Sequence, residues 1–219
     1  PKIVELILEA RDKKPTWGPE KLLSSLMGRY PIVRDWPSIT SVGRILKRNG
    51  RIKVKKRRRA KNGVVYPLSH VLESNDVWCT DFKGYFVVGD GERCDPLTIT
   101  DAYSRFLLAC RITPKTNTKN VQGAFTEVFR EYGMPEAIRS DNGSPFAATR
   151  ALGGLTQLAV WWMKLGIRLE RIEPGKPAQN GRHERMHLTL KQETALPARS
   201  SLRAQQKAFD AFRHEYNFE

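Results

Sequence analysis

The chain has little cysteine, no long hydrophobic run and, in its first quarter, few acidic side chains. Only three of its 219 residues are cysteine, Cys79, Cys94 and Cys110, and they form no CxxC pair. A disulfide scaffold or a cysteine-based zinc site is therefore not expected, and a cytoplasmic location fits the composition. The longest uncharged apolar stretch, 151–163, is shorter than the roughly 20 residues that a membrane-spanning helix needs. We expect no contact with a membrane.

Positive charge dominates the composition and is concentrated near the start of the chain. There are 38 Lys and Arg residues against 23 Asp and Glu, a formal net charge of +15. Residues 1–61 carry 18 of the cations and only 5 of the acids, and the run 51–61 holds eight cations in eleven residues. Such a run is either a solvated tail or a binding segment for a polyanion. Its density favours nucleic acid, because each neutralised phosphate releases condensed counterions.

Apolar spacing predicts three short helices in residues 1–50. Pro19 suits the first position of the second helix, and Ser38 or Thr40 can cap the third, which should end at Asn49-Gly50. The third helix would turn a basic face outward, as in a helix-turn-helix domain that docks in the major groove. An ordinary helical cap domain is the alternative. The residues of this helix and of the basic linker 51–70 that we expect to bind DNA are Arg44, Lys47, Arg48, Lys55, Lys56, Arg57, Arg58 and Arg59.

Residues 71–219 predict an α/β domain with a mixed sheet and helices packed on it. Alternating apolar residues predict strands at 77–88, 96–100 and 105–112, which we expect to be antiparallel neighbours. A helix over 121–132 has apolar residues at the i, i+3, i+4 and i+7 positions. The remaining predicted elements are a strand at 137–141, a helix through Trp161 and Trp162, a strand at 167–172, and helices from about Asn180 and Ser201.

Three carboxylates in this domain are candidates for a metal site. Asp81 lies in an otherwise apolar strand, where a buried carboxylate is costly unless it is paired or binds a metal. Asp141 lies at the carboxyl end of a strand, where open α/β sheets bind ligands. Glu184 lies one turn into a helix. Taken singly, Asp141 could be a turn residue and Glu184 an exposed helix charge.

Helical periodicity surrounds Glu184 with polar side chains. Asn180, His187 and Lys191 share its face, whereas Met186 and Leu190 lie on the opposite, core-facing side. A carboxylate there suits a Mg²⁺ or Mn²⁺ ligand, because those ions prefer oxygen. The polar neighbours would form a rim that contacts phosphate. We expect this rim to bind DNA through Asn180, Arg182, His187 and Lys191.

Four blocks in order resemble the integrase core of DDE transposases, most closely those of bacterial insertion sequences, which are relatives of retroviral integrases. The blocks are WCTDF at 78–82, TDAYSRF at 100–106, RSDNGSPF at 139–146, and PAQNGRHE at 177–184, the last followed by Leu190-Lys191. WGPEKL at 17–22 and RILKRNG at 44–50 are similar to the helix-turn-helix segment that precedes this core.

The resemblance implies a ribonuclease H-like fold and a DDE-type polynucleotidyl transferase. In such an enzyme Asp81, Asp141 and Glu184 would hold two Mg²⁺ or Mn²⁺ ions once DNA is bound, and Lys191 and Asn180 would lie near DNA. The reaction would be phosphodiester hydrolysis and strand transfer at the ends of a mobile element. The partners would be double-stranded DNA of the element ends and target, and further copies of the chain in a homodimer or higher oligomer. The family also implies a nucleoid-associated location and sequence beyond Glu219.

Two other functions remain open on the sequence. His183 to His187 matches HExxH, the zinc-protease helix, but Leu190 and Glu193 stand where the longer metzincin form has glycine and histidine. A non-catalytic DNA-binding regulator, or a decayed transposase, would keep the fold without turnover. The 42 residues between Asp141 and Glu184 exceed the retroviral spacing, and we expect a loop insertion near 150–154.

Overall fold

The computed structural model describes residues 2–52, 71–113, 115–148, 154–172 and 181–218, and for Arg182 the backbone alone. The chain divides into two compact units, which separate within the basic linker. The predicted loop insertion near 150–154 lies almost entirely outside the described residues. Among the helices that are described, none is both long enough and apolar enough to cross a membrane.

As the sequence predicts, residues 2–52 of the first unit form three helices around a small apolar core. They are α1 (Lys2–Lys13), α2 (Pro19–Arg29) and α3 (Ile39–Arg48). Pro19 is the first residue of α2, and the Ser38 hydroxyl caps α3 by accepting a hydrogen bond from the Ser41 amide. The buried side chains that join the three helices are Ile7, Trp17, Leu22, Leu23, Leu26, Val42 and Leu46.

The second unit contains a five-stranded mixed sheet with helices on both faces. Its strands are β1 (Val77–Phe82), β4 (Pro96–Asp101), β5 (Leu107–Ile112), β6 (Ala137–Ser140) and β7 (Arg168–Arg171). Two further short strands, β2 (Phe86–Val87) and β3 (Arg93–Cys94), form a separate hairpin. The helices are α4 (Thr118–Tyr132), α5 (Gln157–Lys164), α6 (Gly181–Thr194) and α7 (Leu202–Phe218).

The sheet has the strand order β5-β4-β1-β6-β7, with β1 at its centre. β1, β4 and β5 are antiparallel neighbours, whereas β6 and β7 run parallel to β1. This mixed sheet with flanking helices is the ribonuclease H-like architecture that the resemblance implies. The carboxyl ends of β1 and β6 therefore meet at one edge of the sheet, which is where ligands bind in open α/β folds.

Separate apolar layers hold the helices on the two faces of the sheet. Trp78 and Ile99 pack with Phe125 of α4 and Trp162 of α5 in one layer. The other layer joins the sheet to α6 and α7, and its buried members are Val88, Cys94, Leu107, Cys110, Met186, Leu190, Phe209 and Phe212. Neighbouring residues of β5 thus serve different layers, with Leu108 in the first layer and Leu107 in the second, as the alternating geometry of a strand requires.

The predicted strand at 77–88 does not continue as one element. β1 ends at Phe82, and Gly84 adopts a φ of 85°, a left-handed conformation that a strand does not contain. Phe86 and Val87 then pair with β3 instead of extending β1. The alternation of apolar residues is real on both sides of Gly84, but it belongs to two different sheets.

Candidate active site

Asp81 projects from the central strand toward helix α6. It is the fifth residue of β1 and is the register partner of Thr98 on β4, so both side chains lie on the same face of the sheet. The Asp81 side chain is 23% exposed. Burial, and then the nearby Asp141 and Glu184 carboxylates, raise the pKa of this carboxyl to about 7. The Asp81 carboxyl thus holds its proton far more tightly than an exposed aspartate does.

Asp141 follows β6 directly, on the strand beside β1. The parallel register pairs Cys79 with Arg139, so two more residues along each chain bring Asp81 and Asp141 to the same edge. The Asp141 carboxylate accepts a hydrogen bond of 3.0 Å from the Gly143 amide. A Cβ atom at position 143 would lie 2.9 Å from Asp141 Oδ2, so this turn has room only for glycine unless the carboxylate moves.

Glu184 lies in the first turn of α6 and is exposed. The helix packs against β1 and α7. Its Met186 and Leu190 side chains are buried as the sequence predicts, in the layer that contains Phe209 of α7. Glu184 and Asp141 both raise the pKa of Asp81, so both carboxylates lie within electrostatic reach of it. The elements that bring them together are two parallel strands and one helix.

The carboxylates of Asp81, Asp141 and Glu184 are oxygen ligands, which suit a divalent cation that prefers oxygen. The three carboxylates repel one another, and this repulsion adds to burial in raising the pKa of Asp81. Mg²⁺ and Mn²⁺ favour such ligands and take the rest of their coordination from water and substrate phosphates. Within the part of the chain that the structure describes, no three His, Cys, Asp or Glu side chains are gathered closely enough to hold a metal ion alone.

Two histidines of α6 are buried beside the carboxylates. His183 is 2% exposed and His187 is 8% exposed. His187 Nδ1 lies 3.9 Å from Asp81 Oδ2. Burial, and then the Lys83 ammonium, lower the pKa of His187 to about 3, while burial and the neighbouring His187 ring hold the pKa of His183 well below its ordinary value. Both rings are therefore neutral at physiological pH.

The histidine geometry disfavours the HExxH zinc interpretation. The Nε2 atoms of His183 and His187 lie 2.7 and 2.6 Å from one atom, the Thr98 hydroxyl oxygen, which sits where a zinc ion held by both rings would have to be. The described residues offer no third side chain that completes a metal site there. His187, which the helical period placed beside Glu184 on a DNA-contacting rim, instead turns toward the sheet.

Two lysines stand beside the carboxylates. Lys191 is exposed on α6, two turns after Glu184. Lys83 is half-buried directly after β1, and its pKa is lowered by burial and then by the Lys191 ammonium, while Asp81 opposes the shift. Lys83 is not among the residues that the sequence predicts for the site. Its position two residues after a strand carboxylate was the only local signal, because the electrostatic effect of Lys191 on it depends on how α6 packs.

The other predicted DNA-binding residues fall into two groups. Arg44, Lys47 and Arg48 are exposed on α3 of the first unit, as expected. The second group lies outside the described part of the chain and comprises Lys55, Lys56, Arg57, Arg58, Arg59, Asn180 and the side chain of Arg182. The structure therefore brings together the three acids, His187 and Lys191, and the roles of all these residues remain predictions.

Models of the integrase core domain match residues 72–177 and 165–219 of this chain. The insertion element IS476 uncharacterized 39.2 kDa protein of Xanthomonas euvesicatoria is 29% identical over 131 residues, which cover 59% of this chain and 36% of that protein. The insertion element IS407 uncharacterized 31.7 kDa protein of Burkholderia multivorans is 29% identical over 128 residues, covering 57% and 43%. The chain thus spans less than half the length of these curated relatives.

A solved structure shows the same fold. The cryo-EM structure of the simian T-cell lymphotropic virus intasome in complex with PP2A regulatory subunit B56 gamma matches with a TM-score of 0.54 and 18% sequence identity. The match covers 88% of this chain and 63% of that chain. At this identity the likeness concerns the fold alone.

Proposed function

Since this chain belongs to the integrase core family of insertion-element proteins, we propose that it is a transposase that cuts and joins DNA at the ends of a mobile element. The observation that carries the proposal is the convergence of Asp81, Asp141 and Glu184. The most distant pair, Asp81 and Glu184, lies about a hundred residues apart in sequence. Burial, together with the charges of Asp141 and Glu184, raises the pKa of Asp81 to about 7.

The three carboxylates would hold the divalent ions that the reaction needs. When bound, two Mg²⁺ or Mn²⁺ ions supply Lewis-acid stabilisation of the attacking and leaving oxygens of a phosphodiester. Asp81 and Asp141 extend from neighbouring parallel strands, and Glu184 faces them from α6. A bound cation would favour the ionised form of the Asp81 carboxyl, which burial and the other two acids disfavour.

The lysines beside the acids would position the DNA backbone. Lys83 and Lys191 repel each other, and a phosphate group between them would relieve that repulsion. The nucleophile is water in the first cut and a DNA 3′-hydroxyl in strand transfer. No covalent protein–DNA intermediate is needed, and none of the serine or tyrosine side chains is assigned as a nucleophile.

The first unit would supply most of the sequence-independent affinity for DNA. Its third helix exposes Arg44, Lys47 and Arg48, and the basic linker follows directly. Phosphate contacts of this kind position the protein on the duplex. A helix-turn-helix docking of α3 in the major groove is part of the proposal. Since two DNA ends must be held for joining, we further propose that a homodimer or higher oligomer assembles on DNA.

The test is a nicking and strand-joining assay on labelled element ends with Mg²⁺ or Mn²⁺. We expect metal-dependent products from the wild type and none from Asp81→Asn, Asp141→Asn or Glu184→Gln. Glu127→Gln is the matched control, because Glu127 is 64% exposed on α4, on the opposite face of the sheet. That control should retain full product formation.

A non-catalytic DNA-binding regulator gives a different pattern. The wild type would then form no product under any metal, while salt-sensitive DNA binding remains. Asp141→Ala would leave that binding unchanged and would have no activity to remove. Such a result would contradict the enzyme proposal for this chain.

A further inference from the structure

One buried hydroxyl connects the strand that carries Asp81 to the helix that carries Glu184. The Thr98 side chain is fully buried on β4. Its Oγ1 lies 3.1 Å from the Asp81 carbonyl oxygen, 2.7 Å from His183 Nε2 and 2.6 Å from His187 Nε2. All three partners belong to elements that hold candidate metal ligands.

Counting protons assigns a direction to each of these hydrogen bonds. A hydroxyl donates one hydrogen bond and accepts up to two. The Asp81 carbonyl can only accept, so the Thr98 hydroxyl donates to it. Both imidazoles must then donate to Thr98 through Nε2–H. Any other assignment sets two lone pairs against each other at one of the three contacts.

The remaining ring nitrogens are consistent with this assignment. His183 Nδ1 lies 3.0 Å from the Thr100 hydroxyl and accepts from it. His187 Nδ1 is left without a proton and faces the Asp81 carboxyl, 3.9 Å from Oδ2. Every polar atom of both buried rings then has a partner or faces the partly exposed acid. The two rings also touch edge to face, with centroids 4.6 Å apart.

Thr98, His183 and His187 connect the two elements that hold Asp81 and Glu184 because of their positions in the chain. Thr98 is the register partner of Asp81 across the β1–β4 ladder. On α6, His183 precedes Glu184 by one residue and His187 follows it by three. One oxygen atom therefore contacts both the backbone of Asp81 and the two residues of α6 that flank Glu184.

We propose that Thr98, with His183 and His187, forms a positioning cluster that fixes the Asp81 carboxylate relative to Glu184. The inference rests on the proposed function, in which these two carboxylates hold divalent ions. Residues that orient metal ligands commonly change metal affinity or activity by about 10- to 100-fold when they are removed. A cluster that served packing alone would change the stability and leave turnover per folded molecule unaltered.

The test compares three threonine variants of the full 219-residue chain. Thr98→Val keeps the shape and removes the hydroxyl, Thr98→Ser keeps the hydroxyl, and Thr80→Val is the matched control. Thr80 is equally buried in the same strand pair and donates a 3.1 Å hydrogen bond to the Thr98 carbonyl, but it touches neither histidine. Each variant is assayed for DNA nicking against Mg²⁺ concentration, beside its thermal unfolding.

We expect Thr98→Val to lower turnover at saturating Mg²⁺ by about tenfold or more and to raise the Mg²⁺ concentration for half-maximal rate. Thr98→Ser should restore turnover to within about twofold of wild type, because the donor and both acceptor positions return. Thr80→Val should lose stability without losing turnover. Equal turnover in Thr98→Val and Thr80→Val would overturn the proposal.

A second measurement does not depend on activity. The chain has four histidines, so ¹⁵N spectra of the imidazoles at neutral pH can be assigned with single His→Gln variants such as His214→Gln. The cluster requires the neutral Nε2–H form on both His183 and His187, and a change in both on Thr98→Val. An Nδ1–H form on either ring would refute it. If the wild type forms no DNA product, the proposed function fails while these spectra still decide whether the cluster exists.

Discussion

Replacing Asp81 with asparagine should stabilise the metal-free protein at alkaline pH while it abolishes activity. The native pKa of Asp81 is about 7 against an ordinary value of 3.8. Between these values the folded state keeps a proton that the unfolded state releases. The wild type therefore loses stability as the pH rises through this window, whereas an amide has no charge to desolvate and loses none.

The size of the effect follows from linkage. Each pH unit in the window costs the wild type about 1.4 kcal/mol, so the full shift of about three units amounts to about 4 kcal/mol as an upper bound. From pH 5 to pH 8, the free energy of unfolding of Asp81→Asn should rise relative to that of the wild type by about 3 kcal/mol. A domain of this size changes its Tm by about 2–4 °C per kcal/mol. The predicted growth in the Tm difference is thus several degrees.

The assay is thermal unfolding in EDTA at pH 5 and pH 8, followed by circular dichroism. Asp101→Asn is the matched control, because Asp101 is a buried acid on the neighbouring strand whose carboxylate accepts hydrogen bonds from Asn75, Tyr103 and Ser104. An amide cannot accept them all, so that variant should be destabilised by about 1–3 kcal/mol at both pH values. If the Tm difference between Asp81→Asn and the wild type is the same at pH 5 and pH 8, the conclusion that the folded state raises the pKa of Asp81 is refuted.

Three further results are expected. Gly143→Ala should displace the Asp141 carboxylate, whose Oδ2 would lie 2.9 Å from the new Cβ, and lower the nicking rate about tenfold or more. Gly123→Ala, where the new Cβ meets open space beside α4, should leave the rate unchanged. Equal rates in both variants would show that the position of the Asp141 carboxylate does not depend on glycine at 143. Lys83→Gln should weaken DNA binding yet not lower the Tm, because it removes a half-buried ammonium that Lys191 repels; a lower Tm with unchanged affinity would contradict this. Lys47→Ala should reduce the slope of log affinity against log salt by about one in fluorescence anisotropy, and an unchanged slope would remove α3 from the DNA interface.

Local patterns in the sequence determined most of the secondary structure. The apolar spacing from Val121 to Tyr132 gives α4, because a helix repeats every 3.6 residues whatever it packs against. Pro19 and Ser38 mark the starts of α2 and α3, since their effect on the backbone acts within one turn. The three acids could be named in advance from their positions and from the family resemblance.

Only the tertiary structure decided which neighbours each acid has. Helical spacing placed His187 beside Glu184, but the packing of α6 on the sheet buries His187 and leaves Glu184 exposed. The register that sets Thr98 opposite Asp81, and the approach of Lys191 to Lys83, likewise follow from packing. These contacts join residues far apart in the chain, and no local pattern encodes them, because strand register and helix rotation are fixed by the core that they share.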